Sequence, residues 1–212
     1  MKFVFNNHPD ITGRHAILSP SGYTWVNHVN DEDPGDIISR YISSFATDIG
    51  TATHEYAQKQ IKYQKYLNEY CSDCFIVYLL ERGFKEKVID IQYIYPNLIN
   101  YVNDAIDLKM NPEVPLKYSD FAFGTADAIS FEKKLLRISD LKTGKTPVHI
   151  EQLLCYAALF CLEYKKDPKD FNTELRIYQG GDVIYHEPDP DEIGFFINKY
   201  VEGTKILTQY FK

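Results

Sequence analysis

Residues 121–131 read FAFGTADAISF and residues 135–142 read LLRISDLK, with Lys133-Lys134 between them. The first run alternates with period two. Phe121, Phe123, Thr125, Asp127, Ile129 and Phe131 fall on one face, and Ala122, Gly124, Ala126, Ala128 and Ser130 on the other. That pattern is the signature of a β-strand with two unlike faces, the smaller of which admits another element closely. A turn centred on the two lysines pairs Phe131 with Leu136, Ile129 with Ile138 and Asp127 with Asp140. A one-residue slip would set the apolar face against the wrong side, so the register is well specified. It also places two aspartates opposite one another, with Cβ atoms roughly 4.5–5.5 Å apart. Like charges so placed weaken a sheet unless something compensates them. A hard divalent cation is the natural compensation, because Mg²⁺ and Mn²⁺ choose carboxylate oxygens. Lys142 is expected on the same inward face as Leu136, Ile138 and Asp140.

The surrounding pattern predicts helices before this hairpin and a mixture after it. Ser19-Pro20-Ser21 reads as a cap and first-turn proline opening a helix through Trp25, and Asp33-Pro34 as the start of the next. A helix from about Ile49 carries His54 and runs through Ile61 to Leu67. Two more are expected over Cys71–Arg82 and from Lys85 to about Leu108, the latter interrupted or kinked by Pro96. Pro147 is expected to start a helix reaching about Tyr164. Residues 174–179 and 182–187 flank Gly180-Gly181, a strong hairpin signal. Asp189-Pro190-Asp191-Glu192 combines a cap, a first-turn proline and acidic residues, opening a C-terminal helix. The fold class is α/β. One domain is expected over residues 1–212, with a mainly helical part over 1–110, a sheet and helix over 111–188 and a C-terminal helix over 189–212.

Composition narrows the function classes. No apolar run approaches a membrane span and the first residues do not read as a secretion signal, so a cytoplasmic protein is expected, in the host cell if it is viral. The net charge of −7 argues against a general nucleic-acid coat protein. Locally the balance reverses: residues 132–145 hold five basic residues against two acidic ones. Cys71 and Cys74 form a lone CxxC, and with Cys155 and Cys161 they read as structural thiols in a reducing compartment.

The Asp127, Asp140 and Lys142 set suits phosphodiester hydrolysis. That reaction needs a neutralised phosphate, an activated water and a stabilised leaving oxygen. One or two Mg²⁺ or Mn²⁺ ions held by Asp127, Asp140 and the Leu141 carbonyl would supply much of this, with Lys142 orienting the water and countering charge. A bare D-x-K tripeptide is common and usually means a solvated edge pair. The shared inward face and the opposed aspartate set this one apart.

In order along the chain, LSPSGYTWV (18–26), GTATHEYA (50–57), GTAD (124–127), SDLKTGK (139–145) and EQLLCYA (151–157) resemble motifs of the PD-(D/E)XK nucleases, in the RecB-type branch that includes phage and viral exonucleases. The resemblance implies a restriction-endonuclease-like core, with a central mixed β-sheet flanked by helices and a helical N-terminal region. It implies Asp127 and Asp140 as metal ligands, Lys142 as the catalytic lysine and His54 as a further ligand. Gln152 and Tyr156 would hold DNA or the lysine, and Lys145 would meet a phosphate. Glu113, placed just before the first strand, is either an outer or second-metal ligand or plain surface charge. Some relatives hold an iron–sulfur cluster through one early cysteine and a C-terminal trio; no cysteine follows Cys161, so none is expected here. The implied function is a free-standing, metal-dependent DNA exonuclease of viral or mobile-element recombination, repair or processing. It would act on DNA, away from membranes, as a monomer or homo-oligomer. The alternatives are a structure-specific endonuclease resembling a junction resolvase, and an inactive nuclease fold that binds DNA or protein.

Overall fold

A computed structural model of the chain describes Leu18, residues 20–29 and residues 33–211. The chain divides into two compact units, residues 1–47 and 48–212. In the first, Pro20–His28 is a 3-10 helix where an α-helical turn was expected. Its expected cap, Ser19, lies outside the described residues. Helix α1 (Gly35–Ser43) follows Pro34 as the sequence predicts, with Asp33 accepting the Gly35 N–H at 3.1 Å.

The second unit is built on a five-stranded mixed sheet flanked by helices, so the α/β expectation holds. Its strands are β1 (Asn111–Ser119), β2 (Ala122–Glu132), β3 (Leu135–Leu141), β4 (Asn172–Gln179) and β5 (Asp182–His186), side by side in that order. All neighbours are antiparallel except β3 and β4, which are parallel. A parallel pair needs a long crossover. Here it is α5 (Glu151–Tyr164), which packs on the sheet together with α6 (Pro190–Phe211).

The β2–β3 hairpin follows the predicted register as far as Ala128–Ser139, where the ladder ends, so the expected Asp127–Asp140 pair is not formed. Phe131 pairs with Leu136 and Ile129 with Ile138. Lys133 and Lys134 both take positive φ, 50° and 62°, the backbone a two-residue hairpin loop requires. The strict alternation, however, does not survive along β2. A Cβ on Gly124 would lie 3.1 Å from the Tyr156 ring of α5, and Phe131, seven residues on, stacks against Phe160 of the same helix. An odd separation cannot keep both on one face of a regular strand. The parity changes around Asp127, which stands across from Glu113. Glu113 has φ 52°, left-handed for a residue with a side chain, and it falls between the Pro112–Ala128 and Val114–Ala126 pairs.

Other boundaries differ for local reasons. Helix α2 (Ala46–Lys62) stops before Leu67 because Gln64 turns left-handed. Lys65 and Gln64 then donate back to the Gln60 and Ile61 carbonyls at 2.9 and 3.1 Å. Helix α3 spans Ser72–Glu81. Helix α4 (Ile91–Asp107) is not interrupted by Pro96, which sits in its second turn and removes one N–H donor there. The segment after Pro147 is not helical until Glu151. The acidic opening of α6 forms the expected cap: Asp189 accepts from Glu192 N–H, and Glu192 accepts from Asp189 N–H, each at 2.9 Å. No helix among the described residues is long and apolar enough to cross a membrane.

Candidate active site

Residues of α2, β1, β2 and β3 come together where β2 and β3 part. Asp127 no longer pairs through the ladder; instead its Oδ2 accepts the Leu141 N–H at 3.1 Å. His54 reaches the same oxygen from α2, with Nδ1 at 3.3 Å. Glu113 joins them from β1, and one ligand atom each from His54, Glu113 and Asp127 lies within 4.8 Å of the others. Among the described residues this is the one group of three or more such side chains close enough to share a metal ion. Glu113 is therefore inside β1 and at the site, rather than ahead of the first strand. Its left-handed backbone is the kind of strain that persists only where surroundings enforce it.

Asp140 stands beside this group and is almost fully buried, at 2% exposure. Its Oδ1 accepts from Lys142 Nζ at 3.1 Å and from Gln152 Nε2 at 3.2 Å. Gln152 Oε1 in turn accepts from Lys142 Nζ at 2.9 Å, so aspartate, lysine and glutamine close a ring of hydrogen bonds. Oδ2 of Asp140 lies 3.0 Å from the ammonium yet off the hydrogen-bonding direction, and this buried oxygen accepts no hydrogen bond. The Lys142 ammonium offsets its charge, but a buried carboxylate oxygen without a hydrogen bond is still short of partners. The donor set, carboxylates plus one imidazole, is what hard to borderline divalent ions select.

Titration behaviour agrees. Burial, then the charge of Asp140, pushes the Asp127 carboxyl up to about 7. Burial and then Asp127 raise Glu113. Burial lowers His54 despite the neighbouring carboxylates. By distance, His54 and Asp127 would count as an ion pair. The shifts move both towards their neutral forms, and burial with carboxylate repulsion is the stronger influence. A neutral imidazole is the form that ligates metals. Beneath the cluster, the buried Tyr101 hydroxyl is pushed well up by desolvation and then by Asp127, Glu113 and Asp140.

A family described as protein of unknown function (DUF2800) matches residues 15–184, which include every residue named at this site. The chain belongs to the DUF2800 family. No curated protein matches it.

The remaining residues of this DUF2800 site divide. Gln152 and Tyr156 stand one turn apart on α5, and Gln152 holds Lys142. Leu141 contributes its N–H to Asp127. Lys145 does not join the cluster: it pairs with Asp90 at 2.8 Å and lies over the Tyr93 ring. Sequence reasoning missed what fixes the segment after Lys142. Tyr93 donates to the Gly144 carbonyl at 3.1 Å, and Gln179 donates to the Gly144 and Thr146 carbonyls at 2.6 and 2.9 Å. These partners come from α4 and β4, and no local motif points to them. A cleft of about 270 Å³ opens beside Lys142 and Gln152, lined also by Thr146, His149 and Gln179. A larger groove of about 910 Å³ lies elsewhere, between α3 and α4, with Glu69 and Asp73 as its charged residues. Neither is lined by the His54, Glu113 and Asp127 cluster; the smaller cleft adjoins the site through Lys142 and Gln152.

Proposed function

We propose that this protein is a divalent-metal-dependent deoxyribonuclease that hydrolyses phosphodiester bonds. The observation that carries the reading is buried Asp140, whose Oδ1 is held by Lys142 and Gln152 and whose Oδ2 accepts no hydrogen bond, next to the His54, Glu113 and Asp127 cluster. Asp127, Asp140, His54 and Glu113 would hold Mg²⁺ or Mn²⁺, with the Leu141 carbonyl as a further oxygen. The bound ion supplies Lewis acidity and a more acidic bound water.

The chain's own residues do the rest. Lys142 presents an ammonium to the charge that builds on the phosphate oxygens as the attacking oxygen adds. Asp140 and Gln152 fix that ammonium before substrate arrives, which reduces reorganisation during the reaction. His54, kept neutral by burial, could ligate the ion without first losing a proton. Asp127 must lose its proton to serve, so metal capture improves as pH rises through about 7.

Within this class an exonuclease acting in viral or mobile-element DNA recombination, repair or processing is our reading, inside a cell and away from membranes. It rests on the ordered motif resemblance in the sequence. Incubation with Mg²⁺ or Mn²⁺ tests it on linear and covalently closed circular DNA side by side. Loss of linear DNA with the closed circle intact is the expected result. Cutting of the circle would favour the endonuclease. No cleavage of either under both metals would remove the enzyme reading.

A further inference from the structure

The β4–β5 hairpin leaves a free edge whose chemistry is self-complementary. Gln179 pairs with Asp182 across the Gly180-Gly181 loop, Ile177 with Ile184 and Leu175 with His186. In a hairpin with a two-residue loop, the flanking pair exchanges its N–H and C=O groups, and such pairs recur at every second residue. Asp182, Ile184 and His186 therefore direct their backbone groups at β4, and Val183 and Tyr185 direct theirs outward. Among the described residues no strand lies on that outer side. The edge is apolar as well: Val183, Ile184 and Tyr185 are 41%, 44% and 47% exposed. Proteins usually guard such edges with lysine, proline or a bulge. Residues 182–186 contain neither residue, and the β4–β5 ladder runs without a bulge.

We propose that β5 pairs antiparallel with β5 of a second copy about a two-fold axis at Ile184, joining two sheets into one. In this register Val183 meets Tyr185 of the other copy, and Tyr185 meets Val183. The outward N–H and C=O groups of both residues are then satisfied on both chains. Ile184 faces its own counterpart on one side of the joined sheet, where side chains of a non-hydrogen-bonded pair approach most closely. At each end Asp182 stands opposite His186, an acid against an imidazole whose Nε2 meets Glu192 of its own chain at 2.9 Å. A two-residue shift would lose both of these end pairings and leave outward groups unmatched. A foreign strand would not be selected by this symmetry, whereas an isologous contact needs one patch that complements itself.

Sedimentation equilibrium over a wide concentration range tests the pairing, with amide exchange read at residues 182–186. The wild-type chain should dimerise, and the Val183 and Tyr185 amides should exchange more slowly as dimer accumulates. Val183→Pro removes an outward donor at a place where an edge strand tolerates proline, and should abolish the dimer. Ile184→Lys sets two ammonium groups face to face and should do the same without a backbone change. A wild-type chain that stays monomeric throughout would overturn the proposal, as would a dimer that persists in Ile184→Lys. So would a dimer whose Val183 and Tyr185 amides remain unprotected.

Discussion

The β2–β3 and β4–β5 hairpins share one kind of loop. Two residues close each, and both residues take positive φ: 50° and 62° at Lys133 and Lys134, 65° and 88° at Gly180 and Gly181. Beyond the loop they diverge. Strand β3 is flanked by β2 and β4, and its Leu136, Ile138 and Leu141 are at most 1% exposed. Strand β5 has a neighbour on one side and is open across most of its length. The same turn chemistry thus yields a buried platform in one case and an accessible edge in the other. Charge follows the same division. Asp140 is buried at the end of the platform, with the Lys142 ammonium 3.0 Å from an oxygen that accepts no hydrogen bond, whereas at the edge Asp182 is exposed and His186 meets Glu192 at 2.9 Å. Tertiary position, not local pattern, decides what an acidic residue in a strand can do.

The largest difference should appear in activity. Asp140→Ala should lower Mg²⁺-dependent cleavage of linear DNA by roughly 10²–10⁴-fold or more, because it removes a ligand and the anchor of Lys142 together. Circular dichroism should show the fold retained.

Stability should separate the hairpins next. Ile138→Ala in the buried strand should cost about 2–5 kcal/mol in urea unfolding, as a core truncation that leaves a cavity. Ile184→Ala, measured on dilute protein, should change stability by no more than about 0.5 kcal/mol. Similar costs at both sites would remove the contrast.

A pH series sharpens it further. In metal-free protein Asp127 keeps a proton up to about pH 7, whereas the unfolded chain releases it near its ordinary value of 3.8. Proton retention favours the folded state, so this stabilisation is full below about 4 and lost as pH rises through about 7. His54 runs the other way, since burial favours its neutral form. The difference between wild type and Asp127→Asn isolates the carboxylate. The variant should melt higher than wild type at pH 8, and the gap should close towards pH 4. A gap that is constant with pH would contradict the raised carboxyl.

The loops should give the smallest effects. Lys134→Gly should stabilise by about 0.5–1 kcal/mol, since glycine takes positive φ without steric cost. Gly180→Ala should destabilise by a similar amount.

Much of this was legible in the sequence because short-range rules governed it. Residue order around Lys133-Lys134 admits one register, and Gly180-Gly181 announces its own turn. The spacing of Gln152 and Tyr156 places them one helical turn apart, next to the D-x-K strand. What escaped depends on distant contacts or on rare backbone states. No pattern marks Glu113 as left-handed, and that kink ends the alternation of β2 and turns the glutamate into the site. The Pro96 break failed because a proline in an early turn removes one donor from a helix otherwise secured by packing. Lys145 follows the motif closely in sequence, but Asp90 captures it from another part of the chain.

Manganese binding and DNA cleavage, measured on the same preparations of wild type and Lys142→Ala, test most directly whether the platform is a catalytic metal site. The variant should still bind Mn²⁺, since its ligands remain, while cleavage of linear DNA falls by orders of magnitude. Undiminished cleavage by Lys142→Ala, or a wild-type chain that binds no Mn²⁺, would contradict the proposed chemistry.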